Sequence, residues 1–591
     1  MRTWTAALGC CVVILITTRD ARAQEFLWAR QFQLGATGGI GAFSGVAADG
    51  AGNVYTVGSF IGTVDFDPGP GIYNLTSAGA DDVFVSKLDN AGNLIWARQL
   101  GGPSGDQGYC ITVDAAGNVY TAGTFLDTAD FDPGPGIYSL TAGMSDEAFI
   151  SKLDNGGNFV WARQIGAGAA PYGVAVDAAG DVHTVGVFTG TADFDPGPGI
   201  HELTSAGADD VFVSKLDNSG AFIWVKQLGG VGEDGGEGVA LDSAGNVYIT
   251  GFFNNTVDFD PGPGSYILVS AGGDDIFISK LDIAGNFLWA RQLGGPGFDF
   301  SHGVALDAAG NVLTVGQFEG TADFDPGPGN YDLTSAGSLD VFISKLDNAG
   351  NFVWARRMGG TKFDAGLGVA SDAAGNVFAV GQFEGTADFD PGPGIHNLAS
   401  AGFDDVFISK LDNAGDFVWA SQLGGTRDDY ADSVAIDAAG NVLTVGDFSG
   451  TADFDPGPGI YNLTSVAGND IFVSKLSGSA VPAGDVANTL SVQYAAAGDI
   501  TLSWGSSCTT TDDDYGVYEG SIGSWYSHVA RLCSTGGLTS ATFTPAAGNT
   551  YYLIVPRNGQ REGSYGAASN GTQRPQGGGA CAVQEIAQPC P

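Results

Sequence analysis

Short runs of alternating apolar and polar residues cover most of the chain and predict β-strands. In one representative stretch the runs are 238–242, 246–253, 275–282 and 286–292. They are rich in Val, Ile, Phe and Trp and are bounded by Gly and Asn, which is typical of strands joined by tight turns. Linking texts such as D-A-A-G-N suit hairpins in which Gly or Asn takes a positive φ. The pattern predicts four antiparallel strands in this stretch.

The four-strand pattern repeats together with the text D-F-D-P-G-P-G. The phenylalanines of this text are Phe66, Phe131, Phe194, Phe259, Phe324, Phe389 and Phe454. They are 65, 63, 65, 65, 65 and 65 residues apart, and a fixed period of this size indicates a repeat architecture. Four antiparallel strands repeated seven times predict an all-β fold, a seven-bladed β-propeller.

A tryptophan marks the fourth strand of each unit, and its positions are offset from the repeats. These residues are Trp28, Trp96, Trp161, Trp224, Trp289, Trp354 and Trp419. Trp28 precedes the first complete unit, and the last unit ends at 475–477 without a tryptophan strand. We therefore expect residues 26–31 to supply the outer strand of the seventh blade and to close the ring, which hides two strand edges.

The strand-turn-strand text G-V-A-L-D-A-A-G-N-V-L-T-V-G and its variants resemble the bacterial seven-bladed β-propeller (SBBP) repeat. The text is also similar to the NHL repeat in its G-V-A-V-D-x-x-G-N-x-Y core. The resemblance covers roughly residues 26–476. It implies a propeller that serves as an extracellular or protein-binding platform, and it implies no common catalytic residue.

The first 23 residues have the features of an export signal. Arg2 precedes an apolar run over 6–16, and Ala21-Arg22-Ala23 has the A-x-A form of a cleavage site. The run is too short to span a bilayer. A lipoprotein signal ending at Cys10 is the alternative. We expect a secreted, extracellular or cell-surface protein, with the periplasm as an alternative, and a propeller over 24–477.

The repeats stop after Ser477. A linker over 478–486 leads to short strand patterns over 487–566, which predict a small β-sandwich that resembles fibronectin type III in an L-S-W strand. A Gly- and Pro-rich tail covers 567–591. An even number of cysteines in an oxidising compartment predicts two disulfides. The cysteines are Cys508, Cys533, Cys581 and Cys590; chain order favours Cys508–Cys533 and Cys581–Cys590, although three pairings are possible.

Acidic residues outnumber basic ones, 66 to 23, and the formal net charge is −43. Surfaces that bind phosphate backbones need clustered Lys and Arg, so the balance argues against a nucleic-acid partner. It also argues against docking on anionic lipid. We expect a monomer that does not insert into a membrane and that meets an extracellular protein or glycan.

The face with the longer and more variable loops is where we expect recognition. One residue at the entrance of each first strand varies between repeats and is expected to line the mouth of a central channel. These residues are Ser44, Tyr109, Tyr172, Glu237, His302, Leu367 and Asp432. The alternative interpretation is that loop tips vary because nothing constrains them.

The two aspartates of each D-F-D text are candidate ligands for Ca²⁺, the one cofactor that we consider. Residues two apart in an extended segment point to the same side, and loop carbonyls could add oxygen ligands. The aspartates are Asp65, Asp67, Asp130, Asp132, Asp193, Asp195, Asp258, Asp260, Asp323, Asp325, Asp388, Asp390, Asp453 and Asp455. The alternative is a side hairpin around a rigid D-P-G-P-G turn, with Phe66 facing the blade and the carboxylates facing water.

We expect no enzyme. His183, His201 and His396 stand where other repeats have Tyr, and only His302 with Glu237 and Asp432 could form a catalytic or metal-binding mouth. No phosphate loop, HExxH motif or nucleophile elbow occurs. The prediction is an exported, non-catalytic binding platform. The alternatives are a structural surface or matrix protein and a hydrolase or lyase at the channel mouth.

Overall fold

The structure is a computed structural model that describes residues 25–32, 45–143, 145–457, 459–478 and eight later strands. The chain divides into two compact units, and Glu25–Gly478 is the larger. Every regular element that the structure describes is a β-strand, and the described residues include no helix long and apolar enough to cross a membrane. The predicted signal segment 1–23, linker residues 479–486 and the four C-terminal cysteines lie outside the described residues.

The strands of the larger unit begin with β1 and follow the repeats. Those up to residue 167 are β1 (Phe26–Phe32), β2 (Gly45–Ala48), β3 (Val54–Phe60), β4 (Thr63–Asp65), β5 (Asn74–Thr76), β6 (Asp82–Leu88), β7 (Leu94–Leu100), β8 (Asp106–Val113), β9 (Val119–Phe125), β10 (Thr128–Asp130), β11 (Ser139–Thr141), β12 (Glu147–Leu153) and β13 (Phe159–Ala167). Those up to residue 293 are β14 (Ala169–Val176), β15 (Val182–Asp193), β16 (Glu202–Leu216), β17 (Phe222–Gly230), β18 (Gly235–Leu241), β19 (Val247–Phe253), β20 (Thr256–Asp258), β21 (Ile267–Val269), β22 (Asp275–Leu281) and β23 (Phe287–Leu293).

The remaining strands complete the larger unit and form the described part of the smaller one. Those up to residue 476 are β24 (Asp299–Leu306), β25 (Val312–Asp323), β26 (Asp332–Leu346), β27 (Phe352–Gly360), β28 (Asp364–Ser371), β29 (Val377–Asp388), β30 (Asn397–Leu411), β31 (Phe417–Gly425), β32 (Asp429–Ile436), β33 (Val442–Asp453) and β34 (Asn462–Leu476). The last eight are β35 (Ser491–Tyr494), β36 (Ile500–Ser503), β37 (Asp514–Ser521), β38 (Val529–Leu532), β39 (Ser540–Phe543), β40 (Thr550–Asn558), β41 (Arg561–Glu562) and β42 (Val583–Gln584).

Each repeat folds into four antiparallel strands that pair in chain order. The sets β2-β3-β6-β7, β8-β9-β12-β13 and β18-β19-β22-β23 are separate four-stranded sheets. The other repeats pair in the same way inside larger sheets, because two-residue ladders such as Gly359↔Asp388 join one repeat to the next. The propeller-like arrangement of antiparallel sheets is thus confirmed, whereas the number of blades stays a prediction.

The first strands of successive repeats lie side by side. β2 contacts β8, β8 contacts β14, β14 contacts β18, β18 contacts β24, β24 contacts β28, β28 contacts β32, and β32 contacts β2. At the last of these contacts the backbone N–H of Val46 donates to Ser433 Oγ at 3.5 Å.

The strand β1 pairs with β34 at the other end of the larger unit, as the tryptophan offset predicts. Trp28 lies opposite Lys475 and Gln31 opposite Phe472 in an antiparallel ladder. Trp28 also donates its indole N–H to the Asn90 carbonyl of the first repeat at 3.1 Å. The segment 26–31 therefore supplies the fourth strand of the last repeat.

Buried strands and aromatic rings form the core of each repeat. All seven residues of β3 and all seven of β6 are buried. Phe66 of the D-F-D text is fully buried, with its ring centroid 5.4 Å from that of Phe60 and 5.0 Å from that of Phe84. The predicted side hairpin is present as β4 and β5, which pair Thr63 with Thr76. The repeated phenylalanine is a core residue, as its hydrophobic position predicts.

A tryptophan, accompanied in most repeats by an arginine, joins one repeat to the next. Trp96 Nε1 donates to the Asn155 carbonyl at 3.1 Å, and Arg98 Nε donates to the Gly157 carbonyl at 2.7 Å. Gly157 has a φ of +75°, and a Cβ there would lie 2.9 Å from the Trp96 ring, so the turn needs glycine. The same indole bond joins Trp161 to Asn218, Trp224 to Ile283, Trp289 to Asn348 and Trp354 to Asn413.

The described strands of the smaller unit form two sheets. Their orders are β35-β36-β39 and β38-β37-β40-β41-β42. The strands β35 to β41 lie within 487–566, where the sequence predicts short strands. The sandwich arrangement and the resemblance to fibronectin type III stay predictions.

Candidate functional site

The carboxylates of the D-F-D text bind their own loop. Asp65 Oδ1 accepts the backbone N–H groups of Asp67 at 3.0 Å and Tyr73 at 2.8 Å. Asp67 Oδ1 accepts the N–H of Gly69 at 2.8 Å, and a Cβ on Gly71 would lie 2.0 Å from Asp67 Oδ2. These bonds hold the turn. The side-hairpin interpretation had the carboxylates facing water and did not include these bonds.

The bond from the second aspartate's N–H to the first aspartate, and the bond from the glycine N–H to the second aspartate, recur in the other repeats. The pairs are Asp130 with Asp132, Asp193 with Asp195, Asp258 with Asp260, Asp323 with Asp325, Asp388 with Asp390 and Asp453 with Asp455. Among the described residues, no group of three or more His, Cys, Asp or Glu side chains is arranged to hold a metal ion. Calcium at these aspartates stays a prediction.

The aspartates of the tight D-x-A-G-N turns also bind their own backbone. Asp242 Oδ1 accepts the N–H groups of Ala244 at 2.9 Å and Asn246 at 3.0 Å. Burial raises the pKa of Asp242, but the hydrogen bonds from Asn246 and Ala244 and the charge of Lys280 together outweigh burial and leave the pKa below its ordinary value. Asp114, Asp177 and Asp307 accept the same pair of bonds. These aspartates therefore stabilise the tight turns.

The variable residues at the entrance of the first strands occupy one equivalent structural position, a β-bulge. The ladder between first and second strands shifts register at each of them: between Gly108 and Cys110, Pro171 and Gly173, Gly236 and Gly238, Ser301 and Gly303, Gly366 and Gly368, and Ala431 and Ser433. The unpaired residue of a bulge is turned out of the regular alternation of the strand. We call Tyr109, Tyr172, Glu237, His302, Leu367 and Asp432 the collar. Ser44 lies outside the described residues.

Collar residues of successive repeats are neighbours. The rings of Tyr109 and Tyr172 are 5.8 Å apart between centroids. A Cβ on Gly173 would lie 3.2 Å from the Glu237 carbonyl, and one on Gly238 would lie 3.2 Å from the His302 carbonyl. The small residue after each bulge thus lets the next first strand approach closely.

Burial changes the protonation of the collar side chains. It raises the pKa of Glu237 to about 7 and lowers the pKa of His302 to about 4. His302 is therefore neutral at pH 7, and its Nε2 lies 3.1 Å from Gln317 Oε1. Glu237 and His302 are neighbours, whereas Leu367 lies next in the collar and separates His302 from Asp432. The collar does not bring the three predicted catalytic candidates together as one group.

A second acidic feature was missed by the sequence analysis. An aspartate of one repeat's third strand and an aspartate at or just before the start of the next repeat's first strand form a carboxyl pair. A Cβ on Gly101 would lie 2.8 Å both from Asp82 Cγ and from Asp106 Oδ2. The two carboxyls are therefore within about 6 Å, near enough for charge on one to raise the pKa of the other. The pairs are Asp82–Asp106, Asp210–Asp234, Asp275–Asp299, Asp340–Asp364 and Asp405–Asp429.

The paired carboxyls are buried and incompletely hydrogen-bonded. Asp82 Oδ2 accepts bonds from the Ala78 N–H and from Gln99 Nε2, whereas its Oδ1 is buried without a partner in the described part of the chain. Burial raises the pKa of Asp82 to about 6, and burial with the nearby charge of Asp82 raises that of Asp106 to about 7. No local sequence signal marks these pairs, because their two members belong to different repeats.

Comparison with known proteins agrees with this architecture. The model of the SBBP β-propeller repeat matches residues 95–124 and 223–251. An uncharacterized WD repeat-containing protein of Acanthamoeba polyphaga mimivirus is 24% identical over 465 residues, which is 66% of this chain and 33% of that protein. The regulatory protein FlaEY of Caulobacter vibrioides is 31% identical over 128 residues, which is 21% of this chain and 13% of FlaEY. The chain spans a third or less of the length of these curated relatives.

Two solved structures resemble the chain weakly. A Bacteroides caccae protein of unknown function aligns with a TM-score of 0.28 and 10% identity, over 57% of this chain and 89% of that one. The Bacillus licheniformis rhamnogalacturonan lyase PL11 aligns with a TM-score of 0.23 and 12% identity, over 96% of this chain and 92% of that one. No inference follows from scores at this level. The matched segments and the propeller-like arrangement of antiparallel sheets both agree with a β-propeller repeat architecture.

Proposed function

We propose that Glu25–Gly478 is a closed seven-bladed β-propeller and that it acts as an exported, non-catalytic binding platform. The contacts between first strands support the closed ring, because they run through every repeat and return from β32 to β2. The hydrogen bonds of Trp28 and Lys475 to Asn90 support it as well, because they join the last repeat to the first. The predicted export signal over 1–23 supports a location outside the cytoplasm.

The collar is the observation that supports binding. The residues of the tight turns, of the tryptophan contacts between repeats and of the core are nearly the same in every repeat, so they serve the scaffold. The collar position instead carries tyrosine, glutamate, histidine, leucine and aspartate at one equivalent bulge. A rigid ring that presents different side chains at equivalent positions is a common arrangement for recognition. The partner that we propose is an extracellular protein, with a glycan as the second ligand class.

Capture experiments with the full chain test this function. We expect the wild-type chain to retain a partner from its native extracellular medium or to bind defined glycans on an array. The triple variant Tyr109→Ala, His302→Ala and Leu367→Ala should lose this binding. The control Ile283→Ala changes an exposed side chain in a tight turn and should retain it. Retention by both variants would contradict the collar as the binding site, and no captured ligand would favour the structural-protein alternative.

We propose calcium at the D-F-D loops as a separate stabilising feature, which the acidic composition supports. Calcium that binds the folded state alone would raise the melting temperature by mass action. A chelator should then lower the melting temperature of the full chain, and added Ca²⁺ should restore it. An unchanged melting temperature would remove calcium from the proposal.

A further inference from the structure

Three of the collar side chains, Tyr109, His302 and Asp432, interact with a residue at a fixed distance along the chain. Tyr109 Oη lies 2.9 Å from Thr124 Oγ1, and His302 Nε2 lies 3.1 Å from Gln317 Oε1. In both cases the partner lies 15 residues later, on the second strand of the same repeat. The charges of Asp432 and Asp447, at the same spacing, also interact, and burial with the Asp432 charge raises the pKa of Asp447 to about 8. The second strand thus sets the polarity behind each collar residue.

Glu237 departs from this arrangement. The corresponding place on the second strand holds Phe252, which offers no hydrogen-bond donor. In the described part of the chain, the Glu237 carboxylate makes no hydrogen bond or ion pair, and burial alone raises its pKa. On the neighbouring first strands, Tyr172 and the neutral His302 supply no positive charge. The carboxylate of Asp209 also acts on Tyr172, and its charge is negative like that of Glu237.

Two aromatic residues belong to the surroundings of Glu237: Tyr172, whose phenol feels its charge, and Phe252, which occupies the place of Thr124 and Gln317 in other repeats. Tyr172 is close enough for the Glu237 charge to help raise the pKa of its phenol to about 12, although burial is the larger cause. Phe252 packs edge-to-face on Phe300 of the next repeat with centroids 5.1 Å apart. Ring faces attract cations, and a carboxylate without a counter-charge attracts them more strongly.

We propose that Glu237, together with Tyr172 and Phe252, binds a basic side chain of a partner protein, the ammonium of a lysine or the guanidinium of an arginine. The carboxylate supplies the counter-charge and the rings supply the apolar and quadrupolar walls. The net charge of −43 supports a basic partner through electrostatic steering. This inference rests on the proposed binding function and names the chemistry of the partner.

Titration of the full chain with capped tripeptides tests the site. The probes are acetyl-Gly-Lys-Gly-amide, the corresponding Gln peptide and free butylammonium. We expect the Lys peptide to bind and the Gln peptide to bind at least about tenfold more weakly. Glu237→Gln keeps the side-chain volume and should weaken the Lys peptide by about tenfold or more. The control Glu384→Gln removes one surface acid that pairs with Lys362, and it should bind like wild type.

A pH series distinguishes binding at Glu237 from the general attraction of a cation to an acidic protein. Affinity for the Lys peptide should rise as pH increases through about 7 in wild type, where Glu237 ionises, and should be flat in Glu237→Gln. Equal binding by wild type and Glu237→Gln would overturn the site, and so would equal binding of the Gln peptide. Butylammonium reproduces the lysine side chain alone and should compete with the Lys peptide; failure to compete would overturn the assignment to the ammonium group.

The capture experiment distinguishes the two proposals. Partner capture that is lost in the triple collar variant but survives Glu237→Gln would support the platform and overturn the cation site. Absence of capture by wild type, together with Lys-peptide binding that depends on Glu237, would support the site and contradict the platform. Unchanged melting temperatures of both variants would show that each result reports binding rather than folding.

Discussion

Gly101 shows how one backbone position allows two repeats to approach each other. It has a φ of +150°, and the carboxyl groups of Asp82 and Asp106 lie against the position where a Cβ would stand. The glycine is thus required by its backbone conformation and also by the carboxyl pair beside it. Glycines in the same place, Gly294, Gly359 and Gly424, have φ values of +145°, +148° and +152°.

Substitution of this glycine should therefore destabilise the protein. We expect Gly101→Ala to lower the free energy of unfolding by about 1–3 kcal/mol, since it combines backbone strain with a steric clash. The matched control is Gly105→Ala, where an added Cβ meets nothing within 4 Å. Urea denaturation followed by tryptophan fluorescence measures both variants. Equal midpoints for the two would show that the Gly101 site relaxes without cost.

Single-residue predictions succeed where the repeat supplies the comparison. His201 and His396 stand where other repeats have tyrosine, and they stack on Phe222 and Phe417 with centroids 4.9 Å apart, like Tyr138 on Phe159 at 4.7 Å. The carboxyl pairs were not predictable in this way. In the sequence each aspartate looks like an ordinary loop residue, because its partner belongs to a neighbouring repeat.

At the scale of elements, β1 completes the sheet of the last repeat from the opposite end of the larger unit. Trp28 is 6% exposed and Leu27 is 40% exposed, so the strand has one face in the core and one in solvent. Without β1, the long strand β34 would present a free edge, and free edges promote aggregation.

A mutation in β1 should consequently affect the whole unit. We expect Trp28→Ala to cost about 3–5 kcal/mol of stability, because it empties a buried site and removes the bond to Asn90. Leu27→Ala, on the exposed face, should cost less than about 1 kcal/mol. Thermal unfolding measures both, and binding of a hydrophobic dye reports the exposed edge. A Trp28→Ala protein as stable as Leu27→Ala would contradict the closing role of β1.

The sequence predicts strands well and bulges poorly. The periodicity indicated a first strand over 238–242, whereas β18 begins at Gly235. A bulge inserts one unpaired residue, so the alternation shifts by one at Glu237 and no longer matches a period of two. The variable position was visible in the repeats, but its orientation was not, because orientation depends on the ladder to β19.

At the scale of the whole molecule, the carboxyl pairs couple stability to pH. The pKa of Asp106, Asp299, Asp364 and Asp429 is raised to about 7, chiefly by burial, from the ordinary value of 3.8. The folded state therefore holds more protons than the unfolded state between these two values. The stabilisation is fully present below pH 3.8 and is lost as pH rises through about 7.

Replacement of one paired aspartate should reduce this dependence. We expect Asp299→Asn to raise the melting temperature at pH 8 by about 2 °C or more and to change it less at pH 5. Low pH also relieves the general repulsion between acidic groups, but it does so in wild type and in Asp299→Asn alike. The difference between their melting temperatures therefore reports the carboxyl pair. The control Asp282→Asn removes a turn aspartate. Hydrogen bonds, among them those from Asn286, outweigh the effect of burial and lower the pKa of Asp282. This variant should therefore lower the melting temperature at pH 8. Parallel pH profiles for wild type and Asp299→Asn would contradict the argument.

The pairing of β1 with β34 also sets an order of events in biosynthesis. Gln31 leaves the ribosome early, yet its partner Asp470 follows 439 residues later. Because the chain is synthesised from its amino end, the backbone N–H and C=O groups of β1 cannot pair with β34 until the final repeat has been made. Maturation of the ring is thereby tied to the arrival of the last repeat, and a product truncated by translational arrest would keep its first strand available to chaperones and proteases.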